Sequence, residues 1–177
     1  ATDYLDLYMI HHPNDDVPIA ETMEAMDALV QRGLVRHVGV SNFSVSRLQA
    51  AQAVSPQKIV ANQVHYSVRV REPEHSGLLE YCQANDVMLV AWQPVEQGLR
   101  GDLLDAVAAS YDVTPVQAAL NWLIAQPNVC VVAGTRHIEH LRENLGALGW
   151  RMQRKDIELL RSQYHDQTDV SEVYPLK

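Results

Sequence analysis

Five short apolar runs, each stopping at a polar residue and followed by a helical pattern, divide the chain into repeating units. Several of these runs are nearly continuous rather than alternating, which is typical of strands in a parallel sheet that is covered on both faces. We therefore predict five strands, at residues 4–10, 35–40, 59–64, 87–92 and 129–132.

Helical patterns fill the intervals between the predicted strands. Apolar residues at helical spacing predict helices at residues 19–32, 75–85, 103–110, 138–148 and 155–165, and another after Ser44. Thr114 as N-cap, Pro115 at the first helical position and Gln117 three residues after the cap predict a further helix, ending near residue 126. The alternation of strand and helix predicts a single α/β domain over residues 1–177 with an irregular tail at 166–177.

Two parallel architectures compete for this pattern. A doubly wound sheet normally has an early glycine-rich phosphate turn, and no G-x-G-x-x-G occurs in the chain. A (β/α)8 barrel of the TIM type instead gathers its site at the carboxyl ends of its strands, and polar residues lie at the ends of all five runs here. Because a full barrel needs about 200 to 250 residues or more, the sequence predicts a partial TIM-type barrel of about five strands.

The net charge limits the classes of ligand that the protein can bind, and the cysteine content indicates its compartment. The 22 acidic and 14 basic residues give a net charge of −8, which repels nucleic acid but leaves room for one phosphorylated ligand in a local pocket. No apolar run approaches the ~20 residues of a membrane span, and no signal-peptide pattern opens the chain. Cys82 and Cys130 lack metal-ligand spacing, so we expect buried, reduced thiols in a soluble, cytoplasmic protein.

In one continuous register, these strand ends resemble the aldo-keto reductase family. Residues 3–13 (DYLDLYMIHHP) resemble its fourth barrel strand, 33–43 (GLVRHVGVSNF) its fifth and 62–67 (NQVHYS) the end of its sixth. Residues 90–94 (VAWQP) and 134–145 (GTRHIEHLRENL) resemble the seventh and eighth. The resemblance implies the C-terminal portion of a reductase barrel, from about the fourth strand onward.

That family reduces aldehydes and ketones with a nicotinamide cofactor, usually NADPH, with NADH also possible. The resemblance implies that His11 polarises the carbonyl of a small substrate. Ser41, Asn42 and Gln63 would hydrogen-bond the nicotinamide carboxamide, which suits side chains that offer both donors and acceptors. Trp92 would stack on the nicotinamide ring.

The remaining cofactor positions follow the last two strands. Gln93 stands where the family commonly has Ser, and Glu96 and Gln97 occupy the loop that closes over the pyrophosphate. The resemblance implies that the adenosine 2′-phosphate and the adenine lie against Thr135, Arg136, His140 and Asn144. Gly134 and His140 replace frequent Lys and Arg positions, which leaves Arg136 as the main determinant of NADPH preference.

Other interpretations of these residues stay open. Ser41 and Asn42 also suit a simple turn, and the i, i+3 pair His137 and His140 lacks a third ligand for a metal site. His12 is expected to line the pocket, and His65 to lie at the surface or in a second layer.

The family's general acid, a Tyr tuned by a Lys and an Asp, has no match in this chain. The sequence therefore supports either a reductase portion or a non-catalytic nucleotide-binding or interaction module. Open sheet edges predict self-association or pairing with an N-terminal half.

Overall fold

The computed structural model describes residues 2–95, 99, 101–164 and 167–176. Within them, five parallel strands form one sheet in chain order. The strands are β1 (Leu5–Ile10), β2 (Val35–Ser41), β3 (Ile59–His65), β4 (Met88–Trp92) and β5 (Val129–Val132). The parallel α/β class is confirmed, and each predicted strand boundary lies within one residue of the observed one.

Eight helices occur in the described part of the chain. They are α1 (Ile19–Gln31), α2 (Val45–Val54), α3 (Glu72–His75), α4 (Leu78–Ala84), α5 (Asp102–Ser110), α6 (Pro115–Ile124), α7 (Ile138–Leu145) and α8 (Arg154–Gln163). The prediction of one helix at residues 75–85 is wrong, because Gly77 adopts a left-handed φ of 74° between α3 and α4. Glycine takes that conformation without the penalty of a Cβ atom, so the helix breaks there.

Side-chain caps fix where two helices begin. The Thr114 hydroxyl accepts from the Gln117 backbone N–H at 3.2 Å, and the Gln117 side chain accepts from the Thr114 N–H at 3.0 Å. This capping box confirms the predicted start of α6. Ser44 caps α2 in the same way by accepting from the Arg47 N–H. Both caps satisfy backbone donors that a helix leaves without partners in its first turn.

The core lies between the sheet and the helices that cover it. Its fully buried large side chains include Met23, Leu48, Ile59, Leu78, Leu89, Leu104, Trp122 and Leu123. In the middle of β2, Gly39 permits close approach of the neighbouring strands, because a Cβ atom there would lie 2.8 Å from Cγ of Met9.

Cys82 is buried, as predicted, and burial raises the pKa of its thiol to about 12. Cys130 is only half-buried, which corrects the expectation for that residue.

A buried ion pair joins α3 to the last helix. The side chain of Arg71 is fully buried, with its guanidinium 4.1 Å from the ring centroid of Trp122. It donates to the Leu160 carbonyl at 3.2 Å and pairs with Glu74 at 3.1 Å. Glu74 also accepts from Arg161 at 3.1 Å, so one carboxylate serves two guanidinium groups. Because buried charges cost free energy unless they are paired, this network ties α8 to α3.

The Tyr66 hydroxyl completes the network by donating to Glu74. Burial, and then the negative charge of Glu74, raise the pKa of Tyr66 well above its ordinary value. The phenol therefore stays protonated at neutral pH and has a structural role.

Apolar side chains are exposed at both outer strands of the sheet. On β1, Leu5 is 49% and Tyr8 is 44% exposed, and on β5, Val132 is 46% exposed. On α7, the helix that follows β5 in the chain, Leu145 is 55% exposed. No helix in the described residues is long and apolar enough to cross a membrane.

We expect Glu74→Ala to lower the free energy of unfolding by about 3 to 5 kcal/mol, because it leaves the Arg71 charge buried without its carboxylate. Urea unfolding followed by circular dichroism measures the change. The matched control is Glu158→Ala, which removes the other, more exposed partner of Arg161 and should cost less than about 1 kcal/mol. Equal losses in the two variants would contradict the assignment of Glu74 as the essential partner.

Candidate functional site

Parallel pairing brings the carboxyl ends of the first four strands to one edge of the sheet. Ile10 is paired with Val40, Ser41 with Gln63, and His65 with Trp92. A cavity of about 300 Å³ opens at this edge and is lined by His11, His12, Ser41, Asn42, Gln63, Trp92 and Tyr174. The structure thus brings together five of the site residues predicted from the sequence.

Asn42 is the centre of the hydrogen bonds at this cavity. It is 4% exposed and has a φ of 61°, a conformation that Asn tolerates better than most residues. Its backbone N–H donates to the Gln63 carbonyl at 2.8 Å, and its side-chain Nδ2 donates to Ser41 Oγ at 3.1 Å. Trp92 Nε1 donates to Asn42 Oδ1 at 3.2 Å. The residue therefore shapes the turn after β2 and also faces the cavity, so the two roles considered for it are compatible.

Three aromatic contacts orient the rings that line the cavity. The ring of Trp92 stacks on His65, with centroids 4.3 Å apart and planes at 15°. Of the two positions expected for His65, the surface one is wrong, because the residue is buried. It lies behind Trp92, in a second layer. The Tyr174 ring stacks on His12 at 4.5 Å and meets Trp92 edge-on at 6.2 Å. The cavity is therefore lined by flat aromatic rings together with the side-chain amides of Asn42 and Gln63.

Tyr174 belongs to the tail, which sequence reasoning treated as irregular and without a motif. Residues 167–176 contain no helix or strand, and an isolated bridge joins Val70 to Thr168; Asp166 and Lys177 lie outside the described residues. The only sequence signal was an aromatic residue in a polar stretch.

Glu72 holds the tail in place. Its carboxylate accepts from the backbone N–H groups of Ser171 and Leu176, each at 2.9 Å. The Ser171 hydroxyl in turn lies 2.8 Å from His65 Nδ1. Hydrogen bonds between residues about a hundred positions apart in sequence thus join the tail to the short helix α3 and to His65, which supports Trp92.

A second cavity, of about 540 Å³, lies beyond β4 and β5. Four predicted cofactor residues line it, namely Gln93, Thr135, His140 and Asn144. Arg136 is exposed near the start of α7 and is not among the lining residues. Glu96 and Gln97, predicted to lie near a pyrophosphate, are outside the described residues.

The His137 and His140 rings lie 5.1 Å apart. Among the described residues, no group of three His, Cys, Asp or Glu side chains could hold a metal ion.

Most of the chain matches the sequence model of a known family. The sequence model of the Aldo/keto reductase family matches residues 1–165. The chain belongs to the aldo/keto reductase family. Its five parallel strands and their helices therefore correspond to a portion of the TIM-type barrel of that family, as the strand-end motifs predicted.

Individual members of the aldo/keto reductase family agree with this assignment. The chain is 26% identical to the aldo-keto reductase yakc [NADP(+)] of Schizosaccharomyces pombe, over 98% of the chain and 61% of the relative. It is 32% identical to 6-dehydroglucose reductase of Agrobacterium fabrum, over 88% of the chain and 55% of the relative. The chain therefore spans less than two thirds of the length of these reductases.

Solved aldo/keto reductase structures share the fold. The thermostable aldo-keto reductase Tm1743, crystallised with the inhibitor epalrestat, superposes with a TM-score of 0.88 at 42% identity, covering 91% of this chain and 60% of that one. An aldo-keto reductase from Klebsiella pneumoniae in complex with NADPH superposes with a TM-score of 0.82 at 30% identity, covering 94% and 61%.

We expect Glu72→Gln to loosen the tail, because the amide NH₂ group that replaces one carboxylate oxygen cannot accept a backbone hydrogen bond. Hydrogen–deuterium exchange at Ser171 and Leu176 should become faster. Glu80→Gln, an exposed change on α4, is the matched control and should leave the tail unaffected. Unchanged protection of the tail in Glu72→Gln would show that other contacts hold it.

Proposed function

We propose that this protein binds NADPH across its strand ends and takes part in the reduction of a small aldehyde or ketone to an alcohol. The observation that supports this most is the cavity at the carboxyl ends of four strands, where His11, Ser41, Asn42, Gln63 and Trp92 come together. NADP-linked relatives and the NADPH complex of a structural neighbour support the choice of cofactor.

The residues of this cavity fit a nicotinamide group. A carboxamide needs both a donor and an acceptor, and the side-chain amide of Gln63 offers both beside the Ser41 and Asn42 side chains. The indole of Trp92 provides a flat face of the kind on which an aromatic ring stacks. When bound, the nicotinamide supplies the hydride. His11, exposed at the rim, is the group that we propose to hydrogen-bond the carbonyl oxygen of the substrate and polarise it.

The second cavity fits the other end of the cofactor. Gln93, Thr135, His140 and Asn144 give it hydrogen-bonding groups for adenosine. The guanidinium of Arg136 precedes α7, and a planar guanidinium near a helix N-terminus suits the 2′-phosphate that distinguishes NADPH from NADH. NADH remains the weaker alternative under this proposal, since it lacks that phosphate.

Carbonyl reduction also needs a proton donor. No residue in the sequence matches the Tyr, Lys and Asp that serve the family, and Tyr66 is unsuited because burial raises its pKa. We therefore propose that the 177-residue chain binds cofactor but turns over carbonyl substrates poorly on its own. A purely non-catalytic module is less well supported, because the relatives are reductases by name.

We also propose that the exposed apolar side chains of β1 and α7 are covered by a partner, either a second copy or an N-terminal half of a barrel. Apolar patches of this kind mark interaction surfaces in soluble proteins. A cytoplasmic location is proposed on the basis of the two free cysteines.

We expect the chain to bind NADP⁺ and NADPH, as measured by isothermal titration and by cofactor fluorescence. Gln63→Ala should weaken the binding of NADP⁺ and of NAD⁺ alike, by about five- to tenfold, because it removes hydrogen bonds to the carboxamide that both cofactors share. Arg136→Ala should weaken only the binding of NADP⁺, since the guanidinium attracts the 2′-phosphate, which NAD⁺ lacks.

Gln49→Ala on the exposed face of α2 is the control for these variants. Absence of cofactor binding by the chain would refute the proposal, and rapid aldehyde turnover by the chain alone would refute the need for another proton donor.

We expect the chain to self-associate in sedimentation velocity experiments, because Leu141 and Leu145 are exposed on one face of α7. Leu145→Lys should shift the distribution toward monomer. Gln49→Lys adds the same charge elsewhere and should not. A stable monomer for the unmodified chain at every concentration would contradict the proposed interface.

A further inference from the structure

The ring of His12 is held from several directions at the rim of the cavity. It stacks on Tyr174 of the tail, meets His11 edge-on with centroids 4.4 Å apart, and places Nδ1 3.1 Å from Nδ2 of Asn42. His12 therefore links the tail to the turn after β2.

Only one orientation of the Asn42 amide fits its surroundings. An indole Nε1 is always a donor, so the Asn42 atom 3.2 Å from Trp92 Nε1 is the oxygen. The opposite atom faces Ser41 Oγ, which donates its own proton to the Gln63 carbonyl at 2.8 Å and hence accepts here. It also faces the backbone oxygen of His11 at 3.5 Å. A flipped amide would set its NH₂ group against the Trp92 donor on one side and its oxygen against two oxygens on the other.

This orientation restricts the form of His12 that can bond to Asn42. The two hydrogens of Asn42 Nδ2 fit its two nearer neighbours, Ser41 Oγ and His12 Nδ1, each at 3.1 Å, so a hydrogen bond between Asn42 and His12 needs an Nδ1 that carries no proton. A proton on Nδ1 would set two N–H groups against each other. Asn42 cannot relieve that conflict by rotating its amide, since Trp92 and Ser41 fix it.

We propose that His12 is a positioning residue, which holds Asn42 in place through an unprotonated Nδ1 and displaces it when protonated. The consequence for the cofactor rests on the function proposed above: displacement of Asn42 weakens binding of the nicotinamide carboxamide. The titratable groups that face His12 are the His11 imidazole and the Tyr174 phenol. Among the described residues, no carboxylate is a hydrogen-bond or ring partner of His12.

The first test needs no ligand. The indole ¹⁵N–¹H resonance of Trp92, assigned with Trp92→Phe, is followed in the 177-residue chain from about pH 8 to about pH 5, where imidazoles change charge. We expect a larger shift in the unmodified protein than in His12→Asn, whose side-chain oxygen can accept from Asn42 but does not titrate. His65, which also stacks on Trp92, is present in both proteins, so the difference between them isolates His12.

His12→Phe provides a second variant that keeps an aromatic ring against Tyr174 and lacks an acceptor. At about pH 8 its Trp92 resonance should already be displaced from that of the unmodified protein toward the position that the unmodified protein shows at about pH 5. Identical titration of the resonance with and without His12 overturns the proposal.

The second test measures the dissociation constant of NADP⁺, which is stable in acid, at about pH 7.5 and about pH 5.5. Binding to the unmodified protein should weaken on acidification about fivefold more than binding to His12→Asn, the value of one hydrogen bond. Titration of the 2′-phosphate and of the other histidines affects both proteins and cancels. Equal weakening overturns the link to the cofactor. Failure of NADP⁺ to bind at either pH overturns the proposed function instead, and the Trp92 resonance still decides the role of His12.

Discussion

Parallel pairing of neighbouring strands in chain order is the constraint on which the site depends. In such a sheet every carboxyl end lies at the same edge, so residues that follow separate strands become neighbours. Ser41 and Gln63 are paired directly, and Trp92 reaches back across β3 to donate to Asn42. The close approach of β1, β2 and β3 that this requires is possible because Gly39 has no side chain.

A four-residue segment at the start of α3 connects the stability of the core to the shape of the cavity. Arg71 and Glu74 face the core and fasten α8, whereas Glu72 lies between them and binds the tail that supplies Tyr174. Neighbouring residues point to different partners because a helix turns about 100° at each position. The wall of the cavity is therefore supported by a segment that contributes no residue to its lining.

Much of the site was predictable because its signals are local. Ser41, Asn42 and Gln63 end apolar runs, and the order of those runs predicts which ends become adjacent. Tyr174 was missed as a site residue, because its position depends on contacts of the tail with residues about a hundred positions away in sequence. The break at Gly77 was missed because the apolar residues at helical spacing, Leu78, Leu79 and Cys82, all lie after it, so their pattern does not fix where that helix begins.

The sequence by itself determined the strands, the parallel class, the family and the residues that belong at the strand ends, since apolar periodicity and short motifs depend only on neighbours along the chain. The tertiary structure alone decided how those residues contact one another. It grouped eight of the nine predicted cofactor residues into two cavities, placed the tail over one of them and fixed the Asn42 amide between Trp92 and His12. Such contacts depend on side-chain packing between distant segments, which no local pattern of residues specifies.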